Sequence, residues 1–201
     1  MLVLVRHGEA AGNAAGVLLG RTDSPLTAHG RSQAAALAGT LGPVARLVSS
    51  PLARARDTAG ALGLGLPVEV DERWIEMDYG ELEGRALGSV SRSVWARWRA
   101  DTGFRPPGGE SLADVGTRVR AACDELFAHD GAGARSGADV VVVSHVSPIK
   151  AAVAWALGAG DDVAWRLHLA TASVTRIGWG ADRPVLHRFN EPGVPTRSPA
   201  P

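Results

Sequence analysis

The chain has 201 residues, of which 21 are basic and 21 acidic, so its formal net charge is zero. This length suits one domain with a sizeable hydrophobic core, and the balanced charge argues against general nucleic-acid binding, which needs a basic surface excess. No apolar run approaches the roughly 18 residues of a membrane span, and the first apolar run is too short for a signal peptide. We therefore expect a cytoplasmic protein with no nucleic-acid or membrane partner; its oligomeric state is unknown from the sequence.

The single cysteine, Cys123, excludes an internal disulfide. It shares a helical apolar pattern with Val115, Val119 and Leu126, which predicts a buried core thiol. No set of cysteine and histidine residues has the spacing of zinc ligands. The sequence therefore offers no zinc site.

The first seventy residues alternate strands with helices. The apolar run at the start predicts a strand that ends at the pair Arg6-His7. Thr27 has the position of an N-cap, and Gly42-Pro43 ends the helix that Thr27 begins. The predicted elements are a strand over 2–6, a Gly-rich loop over 8–23, a helix after Thr27, a strand over 46–49, a helix from Pro51 through Leu62, and a strand over 67–70.

Residues 71–109 differ from the rest because they combine many charges with five aromatic side chains. The pattern predicts a helix over about 89–100 within them. We interpret this stretch as an excursion that caps a site. The aromatic residues are Trp74, Tyr79, Trp95, Trp98 and Phe104.

The second half of the chain returns to alternating elements. Ser111 to Asp114 resembles a capping box, and Val140 to Val143 has the unbroken apolar character of a central parallel strand that ends at Ser144-His145. The predicted elements are a helix from Ser111 to about His129, a Gly-rich loop over 131–137, the strand over 140–143, a helix from Pro148 to about Leu157, strands over 172–179 and 184–189, and a disordered tail from Glu191.

Strands that alternate with helices predict an α/β fold, namely a three-layer αβα sandwich with a mostly parallel central sheet and a short cap excursion. We expect one domain over 1–190 and a tail over 191–201. In such sheets, ligands bind at the carboxyl ends of the strands. Because two strands end in histidine, His7 and His145, we expect these side chains to meet there.

The residue types at this edge suit phosphoryl transfer. Neutral His7 can attack phosphorus, and Arg6 beside it can hold phosphate oxygens. Arg54 lies at a helix start, where N–H groups also attract anions, although Arg56 is equally eligible by type. His145 precedes another helix start. Glu76 is the candidate acid, because a Glu beside a bound anion favours its protonated form; the competing carboxylates are Glu72, Glu81 and Glu83.

Five segments occur in the following order along the chain: Leu4 to Glu9, Asp23 to Thr27 with Gly30, Ser49 to Ala55 with Thr58-Ala59, Glu76 to Gly84, and Val143 to His145. Together, and in this order, they resemble the histidine phosphatase superfamily, the phosphoglycerate-mutase-like family. The resemblance covers about residues 2–150. It implies that His7 becomes phosphorylated, that Arg6, Arg54, His145 and Asn13 bind the phosphoryl group, and that Glu76 donates the proton; it implies no metal and no cofactor.

Three functions fit this resemblance. We favour a phosphomonoesterase, a histidine acid-type phosphatase, that acts on a small phosphorylated metabolite. The alternatives are a cofactor-dependent phosphoglycerate-type mutase and a phosphohistidine protein phosphatase with a regulatory role. The mutases have Arg-His-Tyr-Gly after their Glu, whereas Met77 to Gly80 follows Glu76 here, and this short excursion lacks the lysine and paired arginines that mutases carry. Ala10 and Leu19 replace small hydroxyl residues of the mutases.

Substrate choice stays open at this level. Val146 stands where many members of the family have Gly, Leu82 where many have Trp, and the segment 144–150 most resembles the alpha-ribazole phosphatase branch. Trp95 and Trp98 fit either a core or a pocket. The arginines of the excursion fit either a second acidic group of the substrate or solvent; they are Arg92, Arg97, Arg99 and Arg105. The only lysine, Lys150, we attribute to genome composition.

Overall fold

The computed structural model describes residues 1–130, 137–180 and 183–193. Over these residues the strands are β1 Leu2–Arg6, β2 Val44–Ser49, β3 Val68–Val70, β4 Asp139–Ser144, β5 Ser173–Trp179 and β6 Pro184–Pro192. The α-helices are α1 Ala11–Ala14, α2 Ala28–Leu37, α3 Ala53–Ala61, α4 Arg92–Ala100, α5 Leu112–Asp130 and α6 Val146–Leu157. Short 3-10 turns lie at Ala38–Thr40, Glu72–Trp74, Gly80–Leu82, Leu87–Ser89 and Asp161–Arg166.

The strands form one sheet in the order β3-β2-β4-β1-β5-β6. The first four in this order pair in parallel, whereas β5 and β6 add as antiparallel strands. The predicted mostly parallel sheet is therefore confirmed. Arg6 pairs with Ser144 and Ser49 pairs with Val143, so β1, β4 and β2 end at the same edge.

Alternate side chains of the strands pack into two hydrophobic clusters, one on each face of the sheet. Leu2 and Leu4 on one face pack in a cluster with α5 and α6. Val3 and Val5 on the other face pack in a cluster with α2 and α3. All four side chains are fully buried, as strands covered on both faces require. The three-layer αβα arrangement is confirmed.

Two predicted helix caps are present. Thr27 Oγ1 accepts the N–H of Gly30 at 2.9 Å and so caps α2. Ser111 Oγ accepts the N–H of Asp114 at 3.2 Å, while the Asp114 carboxylate accepts the Ser111 N–H at 2.9 Å. This reciprocal pair is the capping box expected at the start of α5.

Three helices begin away from their predicted residues. α3 begins at Ala53 rather than Pro51, and α4 begins at Arg92 because the Ser91 hydroxyl, not Ser89, accepts from the first turn. α6 begins at Val146, two residues before Pro148. The reason is the carboxylate of Glu76, which accepts the backbone N–H groups of the first two residues of α6.

Two further boundaries differ from expectation. The predicted Gly-rich loop over 8–23 contains the single-turn helix α1, and β6 continues to Pro192 instead of ending at Phe189. Glu191 belongs to that strand and accepts a bond from Arg176 at 3.3 Å. The sheet therefore extends past the predicted domain boundary at residue 190. The rest of the predicted tail, 194–201, and residues 131–136 of the second loop lie outside the described residues.

The excursion packs on the α5 and α6 side of the sheet. Its Trp74, Met77 and Trp98 join the hydrophobic cluster on that side, and Cys123 of α5 is buried in the same cluster. The excursion therefore covers the face beside the carboxyl ends of β1 and β4. Within the part of the chain that the structure describes, no helix combines the length and apolar character needed to cross a membrane.

Candidate active site

His7 directly follows β1, and its backbone N–H donates to the carbonyl of Ser144 at 3.0 Å. The side chain is buried, and Nδ1 lies 2.7 Å from the carbonyl oxygen of Gly8. Because a carbonyl only accepts, Nδ1 carries the proton and Nε2 holds a lone pair. Burial, with Arg6 and Arg54 acting in the same direction, lowers the pKa of His7 well below its ordinary value. The imidazole is therefore neutral at neutral pH, as a nucleophile must be.

The main chain after His7 packs against α2 with no room for side chains. A Cβ on Gly8 would overlap the carbonyl of Gly30, and a Cβ on Gly30 would overlap the carbonyl of Glu9. The Gly8 N–H donates to Thr58 Oγ1 in α3 at 3.1 Å. Contacts from two helices thus fix the carbonyl that orients the His7 ring.

Arg54 lies in the first turn of α3 with 1% of its surface exposed. Nη2 donates to the carbonyl of Gly20 at 2.6 Å and Nη1 to that of Thr22 at 2.9 Å. Nε donates to Nδ1 of His145 at 3.3 Å. Arg56, two residues further along α3, is exposed. Arg54, and not Arg56, therefore reaches the edge of the sheet beside His7.

His145 follows β4 and is fully buried. Since its Nδ1 accepts from Arg54, its Nε2 carries the proton and donates to Ser50 Oγ at 2.7 Å. The ring centroids of His145 and His7 are 5.0 Å apart. Burial, together with His7 and Arg54, lowers the pKa of His145 well below its ordinary value. The structure thus places His145 behind Arg54 and beside His7.

Arg6 and Asn13 complete the polar group around His7. Arg6 Nη1 donates to the carbonyl of Leu169 at 2.6 Å, whereas its Nε is buried with no hydrogen-bond partner in the part of the chain that the structure describes. Asn13 Oδ1 accepts the N–H of Ala10 at 3.0 Å, which leaves the amide NH2 group as a donor. Both side chains can therefore donate to an anion beside His7.

Glu76 is buried, and three backbone N–H groups donate to its carboxylate. Oε1 accepts from Met77 at 2.8 Å and from Ser147 at 3.2 Å, and Oε2 accepts from Val146 at 3.1 Å. Val146 and Ser147 are the first residues of α6, so Glu76 is the distant group that starts this helix two residues early. Its competitors do not share this position: Glu72 and Glu81 are exposed, and Glu83 binds the backbone of Arg21 and Thr22.

The main chain at Glu76 is held by two arginines. Arg21 Nε and Arg118 Nη2 both donate to the Glu76 carbonyl, at 3.3 Å and 3.4 Å. Glu110 pairs with both arginines, at 3.2 Å and 2.9 Å. This charged cluster fixes the carboxylate of Glu76 relative to α6.

These groups line a cavity of about 190 Å³, which we call the phosphate cavity. Its polar walls are formed by Arg6, His7, Asn13, Arg54 and Glu76; His145 is not among the lining residues. Burial lowers the pKa of both arginines while Glu76 acts against it, yet a guanidinium stays protonated in proteins. Two cations against one carboxylate make the cavity suited to an anion.

A second cavity of about 300 Å³ shares part of its wall with the phosphate cavity, and we call it the aromatic cavity. Trp95 and Trp98 line it, so both belong to the pocket as well as to the hydrophobic cluster. The shared residues are Leu18, Tyr79, Leu87 and Val146; the other lining residues are Met77, Trp95, Trp98, Leu112, Ser147, Lys150, Ala164 and Trp165.

The four arginines of the excursion, for which the sequence left a second acidic group or solvent open, are not among the described residues that line either cavity. Arg97 lies over the ring of Phe104 at 4.7 Å, and Arg105 pairs with Asp114 at 2.6 Å. Arg99 lies 5.9 Å from the rings of Trp95 and Trp165, and Arg92 is exposed.

Sequence reasoning missed Ser50, which accepts from His145, and Lys150, which lines the aromatic cavity. Ser50 lies in a motif already singled out, so its place in the sequence could have indicated a position in the site. A single lysine on a helix gives no such indication. Of the other histidines, His29, His168 and His187 are exposed. Within the described ranges, no group of three or more His, Cys, Asp or Glu side chains could hold a metal ion.

Comparison with known proteins identifies the family of the chain. The model of the histidine phosphatase superfamily (branch 1) matches residues 2–192. The chain therefore belongs to the histidine phosphatase superfamily, and the resemblance expected from its motifs is confirmed.

Relatives of this chain include proteins named as phosphatases and proteins named as phosphoglycerate mutases. A bifunctional protein of Mycobacterium tuberculosis is 41% identical over 189 residues, which is 90% of this chain but 50% of that protein. A probable phosphoglycerate mutase of Yersinia enterocolitica is 33% identical over 185 residues, 88% of this chain and 83% of that protein. The chain spans about half the length of the first relatives it matches.

Two solved structures have closely similar folds. A mycobacterial glucosyl-3-phosphoglycerate phosphatase in complex with VO3 superposes with a TM-score of 0.86 at 34% identity, over 94% of this chain and 98% of that one. A suggested alpha-ribazole-5'-P phosphatase of Escherichia coli gives 0.81 at 25% identity, over 96% of both chains. Similarity therefore extends to more than one phosphatase of the superfamily.

Proposed function

We propose that this chain is a phosphomonoesterase, a histidine acid-type phosphatase, that hydrolyses a small phosphorylated metabolite through a phosphohistidine on His7. The observation that carries the proposal is the Nδ1–H of His7 held on the Gly8 carbonyl, which leaves Nε2 as a neutral nucleophile among Arg6, Arg54 and Glu76. We take residues 1–192 as one catalytic domain. The cytoplasmic location and the absence of nucleic-acid and membrane partners stay predictions.

In the first step the phosphate of the ester binds beside His7. Arg6, Arg54 and the Asn13 amide donate to its oxygens, and His145 holds Arg54 in place while the phosphoryl group is transferred. Nε2 of His7 attacks phosphorus, and the bond from phosphorus to the ester oxygen breaks. Positive charge on two guanidinium groups stabilises the charge on the transferring oxygens.

The departing alkoxide needs a proton, and Glu76 supplies it. Oε1 already accepts two N–H groups, which fill its two lone pairs, whereas Oε2 accepts only one. Oε2 is therefore the oxygen that carries the proton. Its transfer to the leaving oxygen releases a neutral alcohol and leaves Glu76 as a carboxylate.

In the second step water attacks the phosphorus on His7. Glu76 accepts the proton of the attacking water, the bond from phosphorus to Nε2 breaks, and inorganic phosphate leaves. His7 returns to its neutral form and Glu76 to its protonated form, so both groups are ready for another ester. Because every step uses protein side chains, we expect activity to survive dialysis against EDTA.

A phosphoglycerate-type mutase is the second candidate, since a relative with 33% identity bears that name. A mutase must return the phosphoryl group to the bound alcohol before water arrives. The short excursion and the Met77 to Gly80 segment favour hydrolysis instead. A phosphohistidine protein phosphatase is the third candidate, disfavoured by the capped cavity.

The test combines a hydrolysis screen with trapping of the intermediate. We expect p-nitrophenyl phosphate and phosphorylated metabolites to release phosphate, and a 3-phosphoglycerate mutase assay to show far less turnover. Rapid acid-free quenching is expected to trap phosphate on the protein at His7 by mass spectrometry. His7→Ala is expected to abolish both signals, whereas His187→Ala, at an exposed position in β6, retains them.

Two results would contradict the proposal. Mutase turnover that exceeds hydrolysis would assign the chain to the second candidate. Phosphatase activity that survives in His7→Ala would show that the nucleophile is another group.

A further inference from the structure

Lys150 is the only lysine of the chain, and its side chain lines the aromatic cavity from the second turn of α6. It is half-buried, and burial lowers its pKa. Glu76 acts on it electrostatically, but no hydrogen bond or ion pair joins Lys150 to any side chain among residues 1–130, 137–180 and 183–193. This half-buried ammonium is therefore free to pair with an anionic group that enters the cavity.

Trp98 and Trp165 contribute aromatic ring surface to the same wall. The indole Nε1 of each is buried, without a hydrogen-bond partner among the described residues, and its burial keeps it from a ligand in the cavity. Among the described lining residues, Lys150 is the one that carries a charge. An acidic oxygen of a ligand would therefore meet its ammonium group.

Apart from Ser147, the remaining residues that line the cavity are apolar or aromatic. Trp95 and Trp98 are stacked with ring centroids 5.6 Å apart, and Trp165 meets Trp98 edge to face at 6.1 Å. A volume of about 300 Å³ lies at the small end of ligand pockets. The cavity therefore suits one flat or ring-shaped group rather than a long chain.

We propose that the aromatic cavity binds the alcohol part of the phosphomonoester and that Lys150 pairs there with a carboxylate of that alcohol. This inference rests on the proposed function, because it needs the ester phosphate in the adjoining phosphate cavity. A single ammonium matches the single charge of a carboxylate. A second phosphate, with about −1.5 to −2 charges, would need further cations, and the excursion arginines do not line the cavity.

Two esters of equal shape test the pairing. 4-Carboxyphenyl phosphate and 4-carbamoylphenyl phosphate differ in the charge that Lys150 would meet, and kcat/KM is measured for both. We expect the wild type to prefer the carboxylate, and Lys150→Met to reduce that preference about tenfold to a hundredfold, as loss of a charged hydrogen bond does. Lys150→Arg is expected to retain most of it.

Arg92→Met is the matched control. Arg92 is exposed at the start of α4 and lines neither cavity, so this variant removes the same charge away from the proposed contact. We expect it to retain the wild-type preference. The quantity compared between each variant and the wild type is the ratio of kcat/KM for the two esters. Differences in the reactivity of the two leaving groups therefore cancel.

Several outcomes would overturn the proposal. An unchanged preference for the carboxylate ester in Lys150→Met would show that Lys150 does not bind the substrate. An equal loss of that preference in Arg92→Met would show that the effect comes from the net charge of the protein. Faster turnover of 1,4-phenylene bisphosphate than of the carboxylate would assign the site to a second phosphate.

A binding measurement separates this inference from the proposed function. Calorimetric titration with 4-hydroxybenzoate and 4-hydroxybenzamide, in the presence of inorganic phosphate, needs no turnover. Preferential binding of the benzoate that Lys150→Met removes would support the subsite even if the wild type hydrolysed no ester. Equal binding of both compounds would refute the subsite even if hydrolysis were established.

Discussion

Glu76→Gln separates the acid role of Glu76 from its structural role. The glutamine carbonyl can keep the bonds from Met77 and Ser147, but its NH2 group then faces the N–H of Val146, which donates to Oε2 at 3.1 Å in the native chain. Two opposed donors leave one N–H unsatisfied, which costs about 1–3 kcal/mol. In a domain of this size we expect a fall in Tm of roughly 2–4 °C per kcal/mol.

The effect on catalysis depends on the ester. General acid catalysis contributes roughly 10²- to 10⁴-fold, so kcat/KM for an alkyl ester such as glycerol phosphate is expected to fall by that factor. p-Nitrophenolate leaves with little need for a proton, so kcat/KM for p-nitrophenyl phosphate is expected to fall far less. kcat alone is unsuitable, because Glu76 also activates water in the second step.

Steady-state kinetics on both esters, with thermal denaturation of each variant, completes this test. Glu81→Gln is the control, since Glu81 is exposed and outside the phosphate cavity. Equal losses of kcat/KM for the alkyl and nitrophenyl esters would refute Glu76 as the proton donor. An unchanged Tm would refute its role at the start of α6.

Other predictions follow from groups that burial perturbs. Burial lowers the pKa of His7 and His145, so below about pH 6.5 the unfolded chain binds protons that the folded chain does not. The free energy of unfolding, measured by chemical denaturation, is therefore expected to decrease from pH 7 to pH 5. A constant or rising free energy of unfolding would contradict this. The acid limb of kcat/KM that reports His7 is expected below pH 6.5. A limb at pH 6.5 or above would show that burial does not lower the pKa of this imidazole. Burial also raises the pKa of the Cys123 thiol, so iodoacetamide is expected to label the protein only after denaturation, and labelling of the native protein would show that α5 opens. Gly30→Ala would place a Cβ on the Glu9 carbonyl; activity is expected to fall more than for Gly39→Ala, where the Cβ meets open space.

The parts of the fold that local pattern determines were predictable. The runs at β1 and β4 are apolar without alternation, which reports burial on both faces, and Thr27 and Ser111 mark the helices they cap. The antiparallel direction of β5 was not predictable, because it depends on how the chain returns to the sheet. The same limit applies to α6, whose first turn depends on a carboxylate 70 residues earlier in the chain.

The same distinction applies to the candidate site: the residues within motifs were predictable, whereas their contacts across the fold were not. His7, Arg54 and Glu76 occur in ordered motifs, and the structure brings all three to one cavity. The hydrogen bonds that orient them were not predictable, because Ser50 and Gly20 act through contacts across the fold. The surroundings of Lys150 were not predictable for a related reason. They are created by tryptophans of the excursion and of the turn at Asp161–Arg166, which only the folded chain places around this lysine.

The solitary lysine has a consequence for chemical probing. Nζ of Lys150 is the only side-chain primary amine in the sequence, and because burial lowers its pKa, a larger fraction is unprotonated at a given pH than for a solvated lysine. Besides the α-amine of Met1, an amine-directed chromophore or fluorophore would therefore have one known side chain to which it attaches, without mutagenesis. The native sequence carries its own reporter position in the wall of the aromatic cavity.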